Sequence, residues 1–168
     1  MVETYKKIEG FENYSVSDHG NVRNDKTGKV IKTCPNSHGY GQVQLWEEKK
    51  RHTLRVHGLV AFAFLDNDEN KKMVDHIDGD RMNNDVFNLR WATRSENGQN
   101  RKLNKNNTTG VKGVSFDTRV QKYYASIKID GIVVQLGCFD NLMDAKRVRI
   151  TKANKAFGLF TNECELVI

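Results

Sequence analysis

Asp75 and His76 are adjacent, and Asn88 and Asn97 follow downstream. A histidine with an ordinary pKa near 6.5 can take a proton from water at neutral pH. A carboxylate beside it is a ligand for a hard divalent cation, and an amide oxygen is a neutral ligand of the same kind. Such a set suits phosphodiester hydrolysis, which needs an activated water, a counter-charge for the phosphate and the leaving oxygen, and in-line alignment of both. An Asp-His pair alone is more often a surface ion pair or part of a turn. The elements around it must therefore bring the other groups to it.

Met73-Val-Asp-His reads as a strand, and neighbouring strand residues point to opposite faces. Asp75 and His76 serve one site only if the strand ends or bends there, and Ile77-Asp-Gly-Asp80 supplies the bend, with Asp78 and Asp80 as turn formers. Asn83-Asn84 is expected to bond the hairpin backbone. Asn88-Leu-Arg-Trp-Ala-Thr gives the returning strand, with Trp91 as core. Thr93-Arg-Ser-Glu96 fits a capping box, so a helix starts at about residue 94 and carries Asn97 on its first turns. Upstream, 54–65 reads as a buried helix and 66–72 as a charged loop, so 54–104 is helix, hairpin, helix. His57 is expected to pack, and His19, His38 and His52 to be solvated.

Residues 5–48 alternate polar and apolar between turn residues and read as a β-rich unit. The segment 101–109 is basic and Asn-rich, a linker. After it come strands at 111–116, 122–129 and 132–138, the last two joined by Asp130-Gly131, a two-residue hairpin turn. A helix over 141–157 follows, with Asn141 and Asp144 at its start, Gly158 as its stop, and Leu142, Ala145, Val148, Ala153 and Ala156 as its apolar face.

The chain has 168 residues and a net charge of +6. Residues 1–100 carry 15 basic and 15 acidic side chains, and residues 101–168 carry 12 and 6, so the whole excess lies in the second part. A polyanionic partner explains that distribution, and so does a solvated face. Cys34, Cys138 and Cys164 are far apart and odd in number, which argues against a zinc knuckle, a redox motif or a disulfide framework. They are expected to be buried free thiols. The longest apolar run, 59–65, is too short to span a bilayer. A soluble, cytoplasmic protein without membrane association is expected.

The spaced residues Val56-His-Gly-Leu-Val-Ala, Val74-Asp-His-Ile-Asp-Gly-Asp-Arg-Met-Asn-Asn, Asn88-Leu-Arg-Trp-Ala-Thr and Glu96-Asn97 resemble the HNH endonucleases of the phage homing type. The resemblance implies an α+β protein with a ββα-metal core that cuts double-stranded DNA at a single divalent ion. It implies Asp75 and Asn97 as metal ligands and His76 as general base, with Asn88 steadying the base and the hairpin. Asn97, where many members carry His, places the chain with a His-Asn-Asn variant. Its amide oxygen favours Mg2+ or Mn2+, and zinc is not expected. Gly58 stands where members commonly carry Arg or Lys, which removes a phosphate contact.

Tyr5-Lys-Lys-Ile-Glu-Gly-Phe-Glu-Asn-Tyr-Ser-Val-Ser-Asp-His-Gly-Asn-Val and Gly39-Tyr-Gly-Gln-Val-Gln-Leu resemble modular DNA-binding segments that precede such nucleases. Lys112-Gly-Val-Ser-Phe, Tyr123-Tyr-Ala-Ser-Ile-Lys-Ile and Leu136-Gly-Cys-Phe-Asp resemble the ethylene-response-factor type of DNA-binding domain. That likeness implies a three-stranded sheet backed by a helix, with the sheet in the major groove. Ala125, Ile127, Ile129, Val134 and Leu136 would face the helix. Lys112, Ser115, Tyr124, Lys128 and Gln135 would face DNA with Arg119 and Lys122, and the linker would add Arg101, Lys102 and Lys105. The expected organisation is an arm at 1–52, a nuclease core at 53–100, the linker at 101–109, a DNA clamp at 110–158 and a tail at 159–168. A monomer is expected, from a phage or a large DNA virus. The alternatives are a DNA-binding regulator with an inactive HNH fold and an RNA-directed or restriction-type nuclease.

Overall fold

The computed structural model describes residues 2–101 and 103–162, so Lys102 and Cys164 lie outside the described residues. The chain mixes α and β structure and forms two compact units, Met1–Thr93 and Arg94–Ile168.

In the first unit, β1 (Tyr5–Ile8), β2 (Phe11–Ser17), β3 (Val22–Asn24) and β4 (Val30–Ile31) form a meander, each strand antiparallel to the next. β5 (Cys34–Pro35), β6 (Gly41–Glu47) and β7 (Lys50–Arg55) form a second antiparallel sheet. The alternation in 41–46 is borne out: Val43 and Leu45 are fully buried, whereas Gln44 and Trp46 are exposed.

Helix α1 (Val56–Phe64) then leads to the hairpin of β8 (Met73–His76) and β9 (Leu89–Ala92). Leu54 and Arg55, expected in the helix, instead close β7, paired with Val43 and Gln42. Asn88 lies in a 3-10 turn, Val86–Asn88, just before the returning strand.

One core joins these pieces. Ile8, Val16, Val22, Val43 and Leu45 from the N-terminal strands pack with Val56 and Val60 of α1 and with Leu89 of β9. Burying each such side chain contributes roughly 1.5–3 kcal/mol, so the N-terminal strands and the 56–92 segment stabilise each other. The Tyr14 hydroxyl, inside this core, accepts a hydrogen bond from the Trp46 amide. Trp91 is half-buried, set edge-on to the exposed Phe62 ring.

The second unit comprises α2 (Arg94–Gln99), an antiparallel sheet in the order β10 (Val114–Asp117), β11 (Lys122–Ile129), β12 (Ile132–Phe139), and α3 (Leu142–Phe157) packed on that sheet. Asp130 and Gly131 both have positive φ, 49° and 83°, as the expected tight turn requires. Residues 111–113 precede the first strand and are not part of it. Asn141 caps α3 by accepting the Asp144 amide at 2.8 Å.

Ala145 and Ala153 lie on the buried face of α3 as expected, and Ala156 is exposed. The residues completing that face are Ile150 and Arg149, the latter 3% exposed. A polarity reading assigns an arginine to solvent, so Arg149 could not be found that way. Cys34 and Cys138 are exposed free thiols, contrary to the expected burial. Cys34 sits on the two-residue strand β5, and Cys138 on β12, at the edge of its sheet. Among the described residues, no helix is long and apolar enough to cross a membrane.

Candidate active site and nucleic-acid surface

Asp75 and His76 end β8, 5% and 4% exposed. The bend follows at once: the Gly79 amide donates to the His76 carbonyl at 2.9 Å. Antiparallel register sets Asp75 opposite Arg90, whose Nε and Nη2 donate to Asp75 Oδ2 at 2.9 and 2.7 Å. This two-pronged contact fixes the direction of the carboxylate. Arg90 could have been anticipated from hairpin pairing once the strands were placed.

His76 has different neighbours. Its Nε2 lies 3.2 Å from Asn84 Oδ1. The Asn84 amide is oriented by its Nδ2, which donates to the Met82 carbonyl at 2.9 Å, so the oxygen faces the ring. An acceptor at Nε2 selects the tautomer with the proton on Nε2 and the lone pair on Nδ1.

Asn84 is itself wedged between two glycines. A Cβ on Gly20 would stand 2.7 Å from Asn84 Cβ, and one on Gly41 would stand 2.9 Å from Asn84 Nδ2. Both glycines belong to the N-terminal strands and their turns. Further ties join the same regions: the Val86 amide donates to the Asp18 carbonyl at 2.7 Å, and the Gly41 amide to the Arg81 carbonyl at 3.2 Å. His19, expected to be solvated, pairs its Nδ1 with Asp85 Oδ2 at 2.6 Å, which raises its pKa.

His57 and Tyr40 complete the surroundings of His76. The His57 ring meets His76 edge-on, with centroids 5.1 Å apart, and Tyr40 lies 5.2 Å from His57 and 6.0 Å from His76. Burial holds the His57 pKa down to about 4, with the His76 and Arg55 charges adding to it. Burial also lowers the His76 pKa, opposed by the bond to Asn84 and by Asp78, Asp75 and Asp80. Both rings are therefore neutral at neutral pH. His57 packs, as expected, but packs on the candidate base itself.

Asn88 secures the loop between the strands. Its Nδ2 donates to Asp78 Oδ1 at 3.0 Å and to the Asn83 carbonyl at 2.8 Å, and its Oδ1 accepts the Asp78 amide at 3.1 Å. Asp78 also accepts from Asn83 Nδ2 and from the Asp80 amide, as a turn former does. Asn97 lies on α2, in the second unit. A carboxylate and an amide oxygen are donors that fit a hard divalent ion such as Mg2+ or Mn2+. Among the described residues, no three His, Cys, Asp or Glu side chains gather as a metal site.

On the sheet of the second unit, cross-strand pairing aligns Ser115 with Tyr124 and Cys138, Ser126 with Gln135, and Lys128 with Val133. Ser115, Tyr124, Lys128 and Gln135 are exposed. Other candidates are engaged within the protein: Arg119 with Asp117, Lys122 with Asp140 at 2.8 Å, and Lys112, whose Nζ donates to the Gln99 carbonyl at 2.5 Å. Arg101 and Lys105 are exposed. Beside the sheet is a cleft of about 660 Å³, lined by Arg94, Arg101, Lys112, Lys128 and Arg149 against Asp130.

Comparison with known proteins places this geometry. Residues 3–46 match the NUMOD4 motif, and residues 56–99 match the HNH endonuclease model. The solved structure described as DNA binding and cleavage by the HNH homing endonuclease I-HmuI superposes with a TM-score of 0.55 at 34% identity, covering 79% of this chain and 76% of that one. The chain belongs to the HNH endonuclease family. Among curated members of the HNH family, DNA endonuclease I-HmuI of Bacillus phage SP01 is 40% identical over 57% of this chain and 56% of its own length. The uncharacterized HNH endonuclease L247 of Acanthamoeba polyphaga mimivirus is 45% identical over 55% of this chain and 24% of its own. The chain thus spans between a quarter and just over half of these two HNH relatives.

Proposed function

We propose that the protein is a DNA endonuclease of the homing type, hydrolysing phosphodiester bonds of double-stranded DNA with one divalent ion, Mg2+ or Mn2+. The observation that carries the reading is His76, buried and bonded through Nε2 to Asn84, at the end of a strand that also carries Asp75. The family membership and the relatives named as DNA endonucleases support it.

His76 Nδ1 takes a proton from water, whose oxygen forms a bond to phosphorus as the bond to the 3′ oxygen breaks. The products are a 5′ phosphate and a 3′ hydroxyl, the departing oxygen taking its proton from solvent. Asp75 would be a ligand of the cation, which would supply counter-charge for the phosphate and for the leaving oxygen. Arg90 keeps the Asp75 carboxylate directed, and Asn88 ties the hairpin loop together through Asp78 and Asn83. The exposed face around Ser115, Tyr124, Lys128 and Gln135, with Arg101 and Lys105, contacts the duplex, phosphate contacts giving affinity more than sequence.

Plasmid DNA incubated with protein and Mg2+ tests this. Wild type is expected to cut, and His76→Ala to lose at least about 100-fold in rate, the usual contribution of a positioned base. Equal cutting by both would remove the mechanism. Duplex binding without metal-dependent cutting would favour a regulator that kept the fold.

A further inference from the structure

Tyr40, beside the His57 and His76 rings, carries two arginines. The Arg55 guanidinium carbon stands 5.2 Å from the Tyr40 ring centroid, and that of Arg81 stands 4.7 Å from it. Arg55 immediately precedes α1, and Arg81 belongs to the loop of the β8–β9 hairpin. Both are exposed. Arg81 is pinned by one donor, its Nη1 giving a 2.6 Å hydrogen bond to the His38 carbonyl.

Neither guanidinium has a carboxylate partner among the described residues, whereas Arg23 and Arg90 in the same unit do. The nearest acids on the loop are used internally. Asp78 accepts from Asn83, Asn88 and the Asp80 amide, and Asp80 accepts the Met82 amide. Two cations on one ring repel each other unless an anion joins them. Stacking engages the flat face of a guanidinium and leaves its in-plane N–H groups for an acceptor, and those N–H groups match the oxygens of a phosphate.

Gly58 bears on the same point. A Cβ there would meet nothing within 4 Å, so the first turn of α1 is open at this position. Arg55 brings a positive charge to that end of the helix from three residues upstream.

From this we infer that Arg55 and Arg81, held on Tyr40 beside His76, form a clamp for backbone phosphates of the DNA strand. The inference rests on the reading of DNA as substrate. The pair grips the phosphodiester backbone next to the base, independent of sequence. Arginine is needed, because lysine offers neither the flat face nor the paired donors.

Equilibrium binding of a labelled duplex in EDTA, measured across a range of salt, tests the clamp without any cutting. Each phosphate contact contributes about 0.9 to the slope of log affinity against log salt. The double variant R55Q/R81Q should show a slope smaller by about 1.8, so that tenfold less salt strengthens wild type about 60-fold more than the variant. The control K49Q/K50Q removes the same charge from exposed Lys49 in the β6–β7 turn and exposed Lys50 at the start of β7, and should keep the wild-type slope. Equal slopes for wild type and R55Q/R81Q, or an equal loss in the control, would overturn the clamp.

Thermal melting of both variants checks the fold. If wild type does not cut and the slope difference is present, the nuclease reading fails and the clamp stands. If wild type cuts and the slopes agree, the clamp alone fails.

Discussion

At the scale of single residues, the site depends on a ring held in one protonation pattern. Asn84→Ala leaves the His76 Nε2–H without the acceptor at 3.2 Å. A buried donor stripped of its partner costs about 1–3 kcal/mol, and the ring then samples both tautomers. Cutting is expected to fall about 10- to 100-fold, the range for lost supporting hydrogen bonds at such sites, with duplex affinity unchanged. Nitrogen-15 spectra of the His76 ring distinguish this from simple damage: wild type should show the proton on Nε2, and the variant a mixture. A single wild-type-like tautomer in Asn84→Ala would contradict the positioning role.

His57 makes a separate, pH-dependent contribution. Its folded pKa is about 4, against about 6.5 for an unperturbed histidine, because burial disfavours its charge. Between these values the unfolded chain binds a proton that the folded chain refuses. Stability is therefore fully present above pH 6.5 and is lost as pH falls toward 4, by roughly 3 kcal/mol for one such group. Urea unfolding of wild type between pH 7 and 4.5 should show this decline, and His57→Phe, which keeps a ring against His76, should flatten it. An unchanged decline in the variant would assign the effect to other groups.

At the scale of elements, the N-terminal strands act as part of the site's frame. Gly20 has φ of 79° and approaches Asn84 too closely for a side chain. Gly20→Ala must both strain the backbone and displace Asn84. It is expected to cost about 1–3 kcal/mol and to reduce cutting in the same direction as Asn84→Ala. Urea denaturation with a parallel plasmid assay measures both. The hairpin loop presents the same logic: Asn88 joins Asp78 and Asn83 across it, which is why an amide with both donor and acceptor stands there. β8 and β9 were readable because alternation and turn residues are local signals. β7 was not: its Lys-Arg-His-Thr stretch has no apolar face and forms by pairing with β6.

At the scale of the whole molecule, charge is divided along the chain. The balanced first hundred residues contain the candidate base, and the basic remainder carries the exposed sheet and linker. Neutralising Arg101, Lys105 and Lys128 to Gln should reduce the salt slope of duplex binding by up to about 2.7, at roughly 0.9 per phosphate contact. The rate of cutting at saturating DNA should stay the same, since none of these groups belongs to the base. A changed saturated rate with an unchanged slope would reverse that division of roles.

The adjacent Asp75-His76 pair, the spaced asparagines, the hairpin and the final sheet with its helix could all be read from residue order, because they rest on local periodicity, turn chemistry and motif spacing. What folding alone decided is which side chains surround the histidine. Asn84 meets its ring, Gly20 and Gly41 seat Asn84, and Tyr40 and His57 pack beside it. Arg90 comes to Asp75 by strand register, and Arg149 is buried in a helix face that polarity would leave in water. Some of these contacts cross the hairpin and others join segments far apart in the chain, and a linear pattern carries no record of them until the strands are paired and the core packs.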